Sequence, residues 1–163
     1  DHGFHLGEKF HWAKRTLWEE TTRVPLMVVG EGISAGTKCG KPVGLIDLYP
    51  TLCEVAGIEV PKGLEGSSLM PLLKNPDGSW ERMAVTTLEP GSHSVRSEAW
   101  RYVRYRDGTE ELYSHADDPN EWTNVAEKPE HAAVKESLAA WLPEGGLPDV
   151  HKDEITTVAP GDE

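Results

Sequence analysis

The sequence predicts an α/β unit followed by a separate α+β unit. Leu26-Met27-Val28-Val29 is a short continuous apolar run, the pattern of a strand buried on both faces. Leu45, Leu48, Tyr49, Leu52, Val55 and Ala56 recur at helical spacing. Further on, Asp107-Gly108 stands between two strand-like runs and signals an antiparallel hairpin.

Residues 1–12, with their glycines and spaced histidines, read as a loop. A short helix is predicted over 14–22, ended by Arg23-Val24-Pro25 because the residue before proline avoids the helical region. The buried strand 26–29 comes next, then a Gly-rich polar loop over 30–42. The helix over 45–56 stops at Gly57. Pro50 is discordant inside it. Proline is tolerated in a first helical turn, which makes Asp47 the candidate N-cap of the regular part. Residues 58–82 read as a long connection with one apolar patch at Leu69-Met70 and Leu72-Leu73. Strands are predicted over 83–87, 93–97, 99–106 and 110–113 as an antiparallel meander. In the third, Trp100 and Tyr102 fall on one face, Val103 and Tyr105 on the other. A closing helix over 130–142 aligns Ala133, Val134, Leu138 and Trp141, with Pro143 after it. Three segments follow: 1–82, 83–142, and a loose acidic tail over 143–163.

At 163 residues the chain fits one domain or a large piece of one. A net charge of −12 offers no basic stripe and argues against nucleic acid or an anionic membrane as partner. No apolar stretch is long enough to span a bilayer as a helix. Cys39 and Cys53 could pair, but their neighbours read as a loop and a helix, and two cysteines fix no redox compartment. The chain opens inside a motif without a Met and is expected to be a fragment, so a leader peptide is not observable.

Asp1-His2-Gly3 places a carboxylate beside an imidazole on one tight turn, the start of a metal site; an exposed surface turn is the plain alternative. Lys9 and Lys14 could hold an anion's oxygens as point charges, although a lone lysine is usually solvated. His5 and His11 could act as general acids, against the commoner role of packed or exposed histidines. Glu19-Glu20 could be metal ligands, but reads first as a helix-end ion-pair partner of Arg23. His93 could touch a substrate. His115 with Asp117 and Asp118 could bind a metal or simply form a polar turn. No Gly-rich phosphate loop, CxxC pair or Ser/His/Asp spacing is present.

The run Asp1-His2-Gly3-Phe4-His5-Leu6-Gly7-Glu8-Lys9, with His11-Trp12-Ala13-Lys14, Leu17-Trp18-Glu19-Glu20 and Arg23-Val24-Pro25-Leu26, resembles the late metal-binding motif of sulfatases. It is most similar to the iduronate-2-sulfatase-like group. Asp47-Leu48-Tyr49-Pro50-Thr51-Leu52 resembles the helix that follows. His93-Ser94-Val95-Arg96, Trp100-Arg101-Tyr102, Asp107-Gly108 through Tyr113 and Asp118-Pro119-Asn120-Glu121-Trp122 resemble the group's C-terminal sheet. The likeness runs from residue 1 to about 142.

The resemblance implies the C-terminal part of an alkaline-phosphatase-like α/β/α sandwich, with a smaller antiparallel-sheet α+β subdomain. It implies hydrolysis of a sulfate ester on a small molecule or carbohydrate, and an extracytoplasmic location. Asp1 and His2 match a metal pair for Ca2+, with Mg2+ as the alternative. Lys14 matches the lysine at the sulfate and is the candidate catalytic residue. His11, His93, His5 and Arg96 are candidates for substrate contact. The nucleophile of such enzymes is a formylglycine made in a Cys/Ser-x-Pro-x-Arg motif. Cys39-Gly40-Lys41-Pro42 and Cys53-Glu54-Val55-Ala56 lack it, so the nucleophile is expected upstream and the chain alone is expected to be inactive. A phosphodiesterase or phosphonate hydrolase of the same superfamily, or a non-catalytic binding module, are the competing readings.

Overall fold

A computed structural model of the chain describes residues 2–143. Asp1 and the tail expected near the C-terminus (144–163) lie outside the described residues. Four antiparallel strands dominate: β3 (Ala84–Glu89), β4 (Ser92–Arg96), β5 (Trp100–Arg104) and β6 (Glu110–Ser114). They pair in sequence order, β3-β4-β5-β6, as the meander predicts. The register sets Val95 opposite Tyr102 and Tyr102 opposite Leu112.

The hairpin between β5 and β6 forms for local reasons. Gly108 takes φ +86°, which L side chains resist. Asp107 Oδ1 accepts hydrogen bonds from Thr109 N (2.9 Å) and Thr109 Oγ1 (2.7 Å), closing the turn on itself.

Alternation along the strands creates two different faces. Val95, Tyr102 and Leu112 lie on one, packed with Val125, Ala126, Leu138 and Leu142. Leu138 belongs to α4 (Ala132–Ala139), which follows a 3₁₀ turn at Pro129–His131. Burial of each valine and leucine here contributes about 1.5–3 kcal/mol. Asn124 anchors the crossing segment: its Oδ1 accepts from Leu112 N and Ala126 N, both at 2.9 Å. Ser94, Arg101, Val103 and Tyr113 occupy the opposite face, and the N-terminal segment lies on it.

That segment holds a two-residue ribbon, β1 (His5–Leu6) against β2 (Trp12–Ala13), around a 3₁₀ turn at Glu8–Phe10. The helix predicted over 14–22 shrinks to α1 (Glu19–Thr22). Arg15 at φ +70° and Trp18 in an extended conformation keep the preceding residues out of it.

The strand predicted at 26–29 does not form. Met27 is 88% exposed and Val29 97%, and no described strand runs beside them. An apolar run makes a strand only where neighbours accept its backbone hydrogen bonds.

The second predicted helix appears as α2 (Leu48–Val55) after a 3₁₀ turn at Leu45–Asp47. It packs through Pro50, Thr51 and Cys53, while Leu45, Tyr49, Leu52 and Val55 remain exposed. Asp47 does not cap α2 with its side chain. Its carboxylate turns back to Gly44 N (2.9 Å) and Ser67 N (2.8 Å). The patch taken as part of a connection is a short helix, α3 (Met70–Lys74). Its Leu69 N donates to Thr51 Oγ1 at 2.8 Å, docking it on α2. Both cysteines are free thiols, Cys39 exposed and Cys53 buried.

Candidate functional site

Lys14 and His2 meet. Lys14 Nζ lies 2.9 Å from His2 Nε2, across twelve residues of chain. His2 Nδ1 lies 2.7 Å from the carbonyl oxygen of Gly3, which can only accept. The proton therefore sits on Nδ1, and Nε2 presents a lone pair to the Lys14 ammonium. Both side chains are exposed.

Gly3 allows this approach. A Cβ there would stand 1.8 Å from the Glu20 carbonyl oxygen, and Gly3 N donates to Thr21 O at 3.1 Å. The backbone of the turn presses directly on α1. Gly3→Ala is expected to force the two apart at a cost of about 1–3 kcal/mol, read as a lowered Tm together with reduced activity.

The loop that carries Lys14 is strained. Lys9, Phe10, Ala13 and Arg15 all take positive φ, from 53° to 103°. Each such non-glycine residue costs roughly 1–3 kcal/mol and persists only where its surroundings hold it. His5 is fully buried beneath the loop, with Nε2 2.9 Å from Thr16 Oγ1. Its Nδ1 has no hydrogen-bond partner, and Glu8 Oε2 stands 3.9 Å away. Burial, reinforced by His11, holds the His5 pKa below its usual value. His11 and Trp18 pack edge-on against His5, at 5.2 and 5.7 Å between ring centres. His11 Nε2 reaches Lys14 O at 3.4 Å. The histidines of the motif thus brace the loop under Lys14.

Lys9 is not the solvated lysine its sequence context suggests. Its Nζ donates to Tyr113 Oη (3.0 Å) and to the Glu121 carbonyl oxygen. It sits 4.4 Å from the Tyr113 ring centre and 4.8 Å from that of Trp18. Burial lowers its pKa, against the pull of Glu111, Glu121 and Asp118. Trp18 Nε1 donates to Glu111 Oε2 at 2.6 Å, fixing the cage wall to β6.

Glu19 likewise has a larger role than pairing with Arg23, whose guanidinium stands 3.9 Å away at the surface. Its carboxylate receives Arg96 Nε at 3.2 Å and Arg101 Nη2. Arg101 is 2% exposed and also donates to Glu121 Oε1 (2.5 Å), Leu17 O and Ser94 Oγ (both 3.1 Å). Glu121, 1% exposed and at φ +59°, accepts from His115 Nε2 (2.8 Å) and from Glu19 N (2.8 Å). His115 Nδ1 lies 2.8 Å from Arg96 Nη2, a donor only, so Nδ1 carries the lone pair and Nε2 the proton.

Glu19, His115 and Glu121 place potential ligand atoms within 4.8 Å of one another. Two guanidinium groups already neutralise these carboxylates, so the cluster is an ion-pair network that welds α1 to the sheet. Asp117 and Asp118, the other partners considered for His115, instead accept hydrogen bonds from Ser114 Oγ (2.8 Å) and Thr123 N (2.6 Å), as a polar turn does.

His93 stands apart from this assembly. It follows the same-face alternation as Val95, so it lies on the sheet face opposite Ser94, Arg101 and the N-terminal loop. Its Nδ1 is 2.8 Å from Thr87 Oγ1, and burial lowers its pKa. Arg96 joins the network through Glu19 and His115. Asp1, the other proposed metal ligand, lies outside the described residues.

The model of the family described as N-sulphoglucosamine sulphohydrolase, C-terminal, matches residues 7–145. The chain belongs to this sulfatase family. It is 40% identical over 143 residues to a sulfatase of Formosa agariphila, covering 88% of this chain and 28% of that relative. Human arylsulfatase K is 34% identical over 143 residues, covering 78% of this chain and 27% of the relative. The sulfatase chain thus spans just over a quarter of the length of these curated relatives. Among solved structures it resembles one in complex with its substrate, D-glucosamine-2-N,6-O-disulfate, at TM-score 0.70 and 27% identity, over 85% of this chain and 31% of that one. It also resembles the phosphonate monoester hydrolase of Silicibacter pomeroyi at TM-score 0.71 and 25% identity, over 85% and 32% respectively. The mixture of short helices and antiparallel sheet is that of the C-terminal part of α/β sulfatases of alkaline-phosphatase-like fold.

Proposed function

We propose that this chain contributes Lys14, His2 and Asp1 to the active site of a sulfuric ester hydrolase acting on a sulfated sugar. The observation that carries the reading is the 2.9 Å approach of the Lys14 ammonium to His2 Nε2, within the run that resembles the sulfatase metal motif. An ammonium beside an anion's oxygens stabilises the charge that shifts there during attack at sulfur.

His2 Nε2 suits one position of a metal site, because Nδ1 is committed to Gly3 O and Nε2 keeps the lone pair that now faces Lys14. Asp1 would add a carboxylate. A hard cation such as Ca2+ takes six to eight oxygen ligands, so the remaining ligands would come from elsewhere in the intact protein. A bound divalent cation would supply Lewis-acid polarisation of the sulfate. One lone pair cannot serve both a cation and an ammonium. A cation held there would take the place of the Lys14 ammonium at His2, and Lys14 would then be free to hold a sulfate oxygen. The nucleophile, a formylglycine by resemblance, is placed in another part of the intact protein, since neither Cys39 nor Cys53 has the required motif.

The motif favours an iduronate-2-sulfatase-like member and an extracytoplasmic location. The sugar assignment draws support from the disulfated glucosamine bound by a structural neighbour. Exposed Phe4 next to the turn, and Phe10 and Trp12 on the loop that carries Lys14, offer rings on which a sugar face can stack. Likeness to a phosphonate monoester hydrolase favours a second reading, hydrolysis of phosphonate monoesters. Assay of the intact protein on N- and O-sulfated glucosamines, an aryl sulfate and an aryl phosphonate monoester tests both. Release of sulfate is the expected result. Turnover of the phosphonate alone would replace this reading with the second, and no turnover of any of them would leave the binding-module reading standing.

A further inference from the structure

We infer that Lys9 is a positioning residue: caged between Trp18 and Tyr113 and bonded to the Glu121 carbonyl, it holds the strained loop that delivers Lys14 to His2. The inference rests on the proposed role of Lys14, but its own content is mechanical.

The loop has few other ties to the sheet. Residues 7–15 contain left-handed backbone at Gly7, Lys9, Phe10, Ala13 and Arg15, a sequence of conformations that a free loop would relax. Phe10 is fully exposed, and Trp12 and Lys14 are also at the surface, so the outer half of the loop gains little from packing. Within the loop the bonds are short-range: Gly7 N to His11 O, Phe10 N to Gly7 O, and His11 N to Glu8 O. These shape the turn, while the pairing of β1 with β2 and the packing of His11 on His5 and Trp18 tie it to its own N-terminal segment. Lys9 ties it to the sheet. Its ammonium reaches residues 104 and 112 positions away in sequence, Tyr113 on β6 and Glu121 beyond it.

The receiving surface is itself rigid. Glu121 is locked by Arg101, His115 and the α1 amide of Glu19. Trp18 is held by Glu111. An ammonium is suited to this task because it donates in several directions from one point and sits against both rings. Loss of the charge leaves the aromatic cage standing and frees the loop.

The test uses Lys9→Met in the intact protein, which keeps the stem and removes the ammonium. Hydrogen exchange of residues 7–16 is expected to accelerate several-fold while that of 84–114 stays unchanged. In the same variant kcat for a sulfate ester is expected to fall between about 10- and 100-fold with KM near wild type, as a displaced catalytic group requires. Unchanged exchange over 7–16 overturns the inference, and so does faster exchange with unaltered kcat. If Lys9→Met does not fold, Tyr113→Phe decides by the same readouts, with a smaller effect because the ring remains. Should the wild-type protein turn over no sulfate ester, the sulfatase reading fails by itself, and the exchange measurement alone decides whether Lys9 holds the loop.

Discussion

Replacing Lys14 with Ala in the intact protein is expected to lower kcat for sulfate ester hydrolysis by about 10²–10³-fold, the usual effect of deleting one preorganised donor to a developing charge. Lys14 is exposed, and its described partner is the His2 ring, so the substitution removes little packing. The unfolding temperature should stay close to wild type. Lys14→Arg should not restore the rate. A guanidinium is planar and longer, and cannot place a single point charge where the ammonium stood. Initial-rate kinetics on an aryl sulfate, with circular dichroism to check the fold, provide the measurement. An unchanged kcat would remove Lys14 from the site.

The largest effect on stability is expected from Arg101→Met. Arg101 and Glu121 are almost wholly buried, and removing Arg101 leaves the Glu121 carboxylate with His115 and the Glu19 amide as its donors among the described residues. Breaking a buried ion pair in this way costs about 3–5 kcal/mol. A double Arg101→Met, Glu121→Gln variant should be less destabilised than the sum of its single changes, because the uncompensated charge goes with its partner. Urea unfolding of the variants measures both.

The same network has a pH signature. Burial pushes the carboxyl pKa of Glu121 up, but the hydrogen bond from His115 and the charge of Arg101 outweigh it and hold it below the usual range. For Glu19, burial is likewise overcome by Arg101 and Arg96. A folded-state pKa below the unfolded one contributes stability above the unfolded carboxylate range. That contribution is lost as pH falls through the folded value. Wild-type Tm should therefore drop on the acid side, and Arg101→Met should flatten that drop.

Much of the fold was legible because its signals are local. The Asp107-Gly108 turn and the alternation of Trp100 and Tyr102 against Val103 and Tyr105 each report a short-range preference, and each formed; the helical spacing over 130–142 formed in its middle as α4, with Val134, Leu138 and Trp141 inward but Ala133 exposed. The apolar run at 26–29 failed for the complementary reason. Its pattern states that it wants burial, but burial needs neighbouring strands, and none of the described strands lies beside it. Leu69 to Leu73 read as part of a connection because five residues are too few for a helical period to stand out.

The site divides along the same line. The sequence by itself placed Asp1, His2 and Lys14 in one fourteen-residue stretch that resembles a sulfatase motif. Why a glycine follows His2 is visible only in the fold, where Gly3 presses on the Glu20 carbonyl. Only the tertiary structure decided that Lys9 is caged and that Glu19 serves Arg101 and Arg96. Those outcomes depend on partners some 80 to 110 residues distant, joined by specific hydrogen bonds and charges (Glu19 with Arg101 and Glu121, Lys9 with Tyr113 and Glu121). Periodicity tells which face a residue prefers. It carries no term for which distant carboxylate or ring will stand opposite, and that is set when the N-terminal loop closes on the sheet.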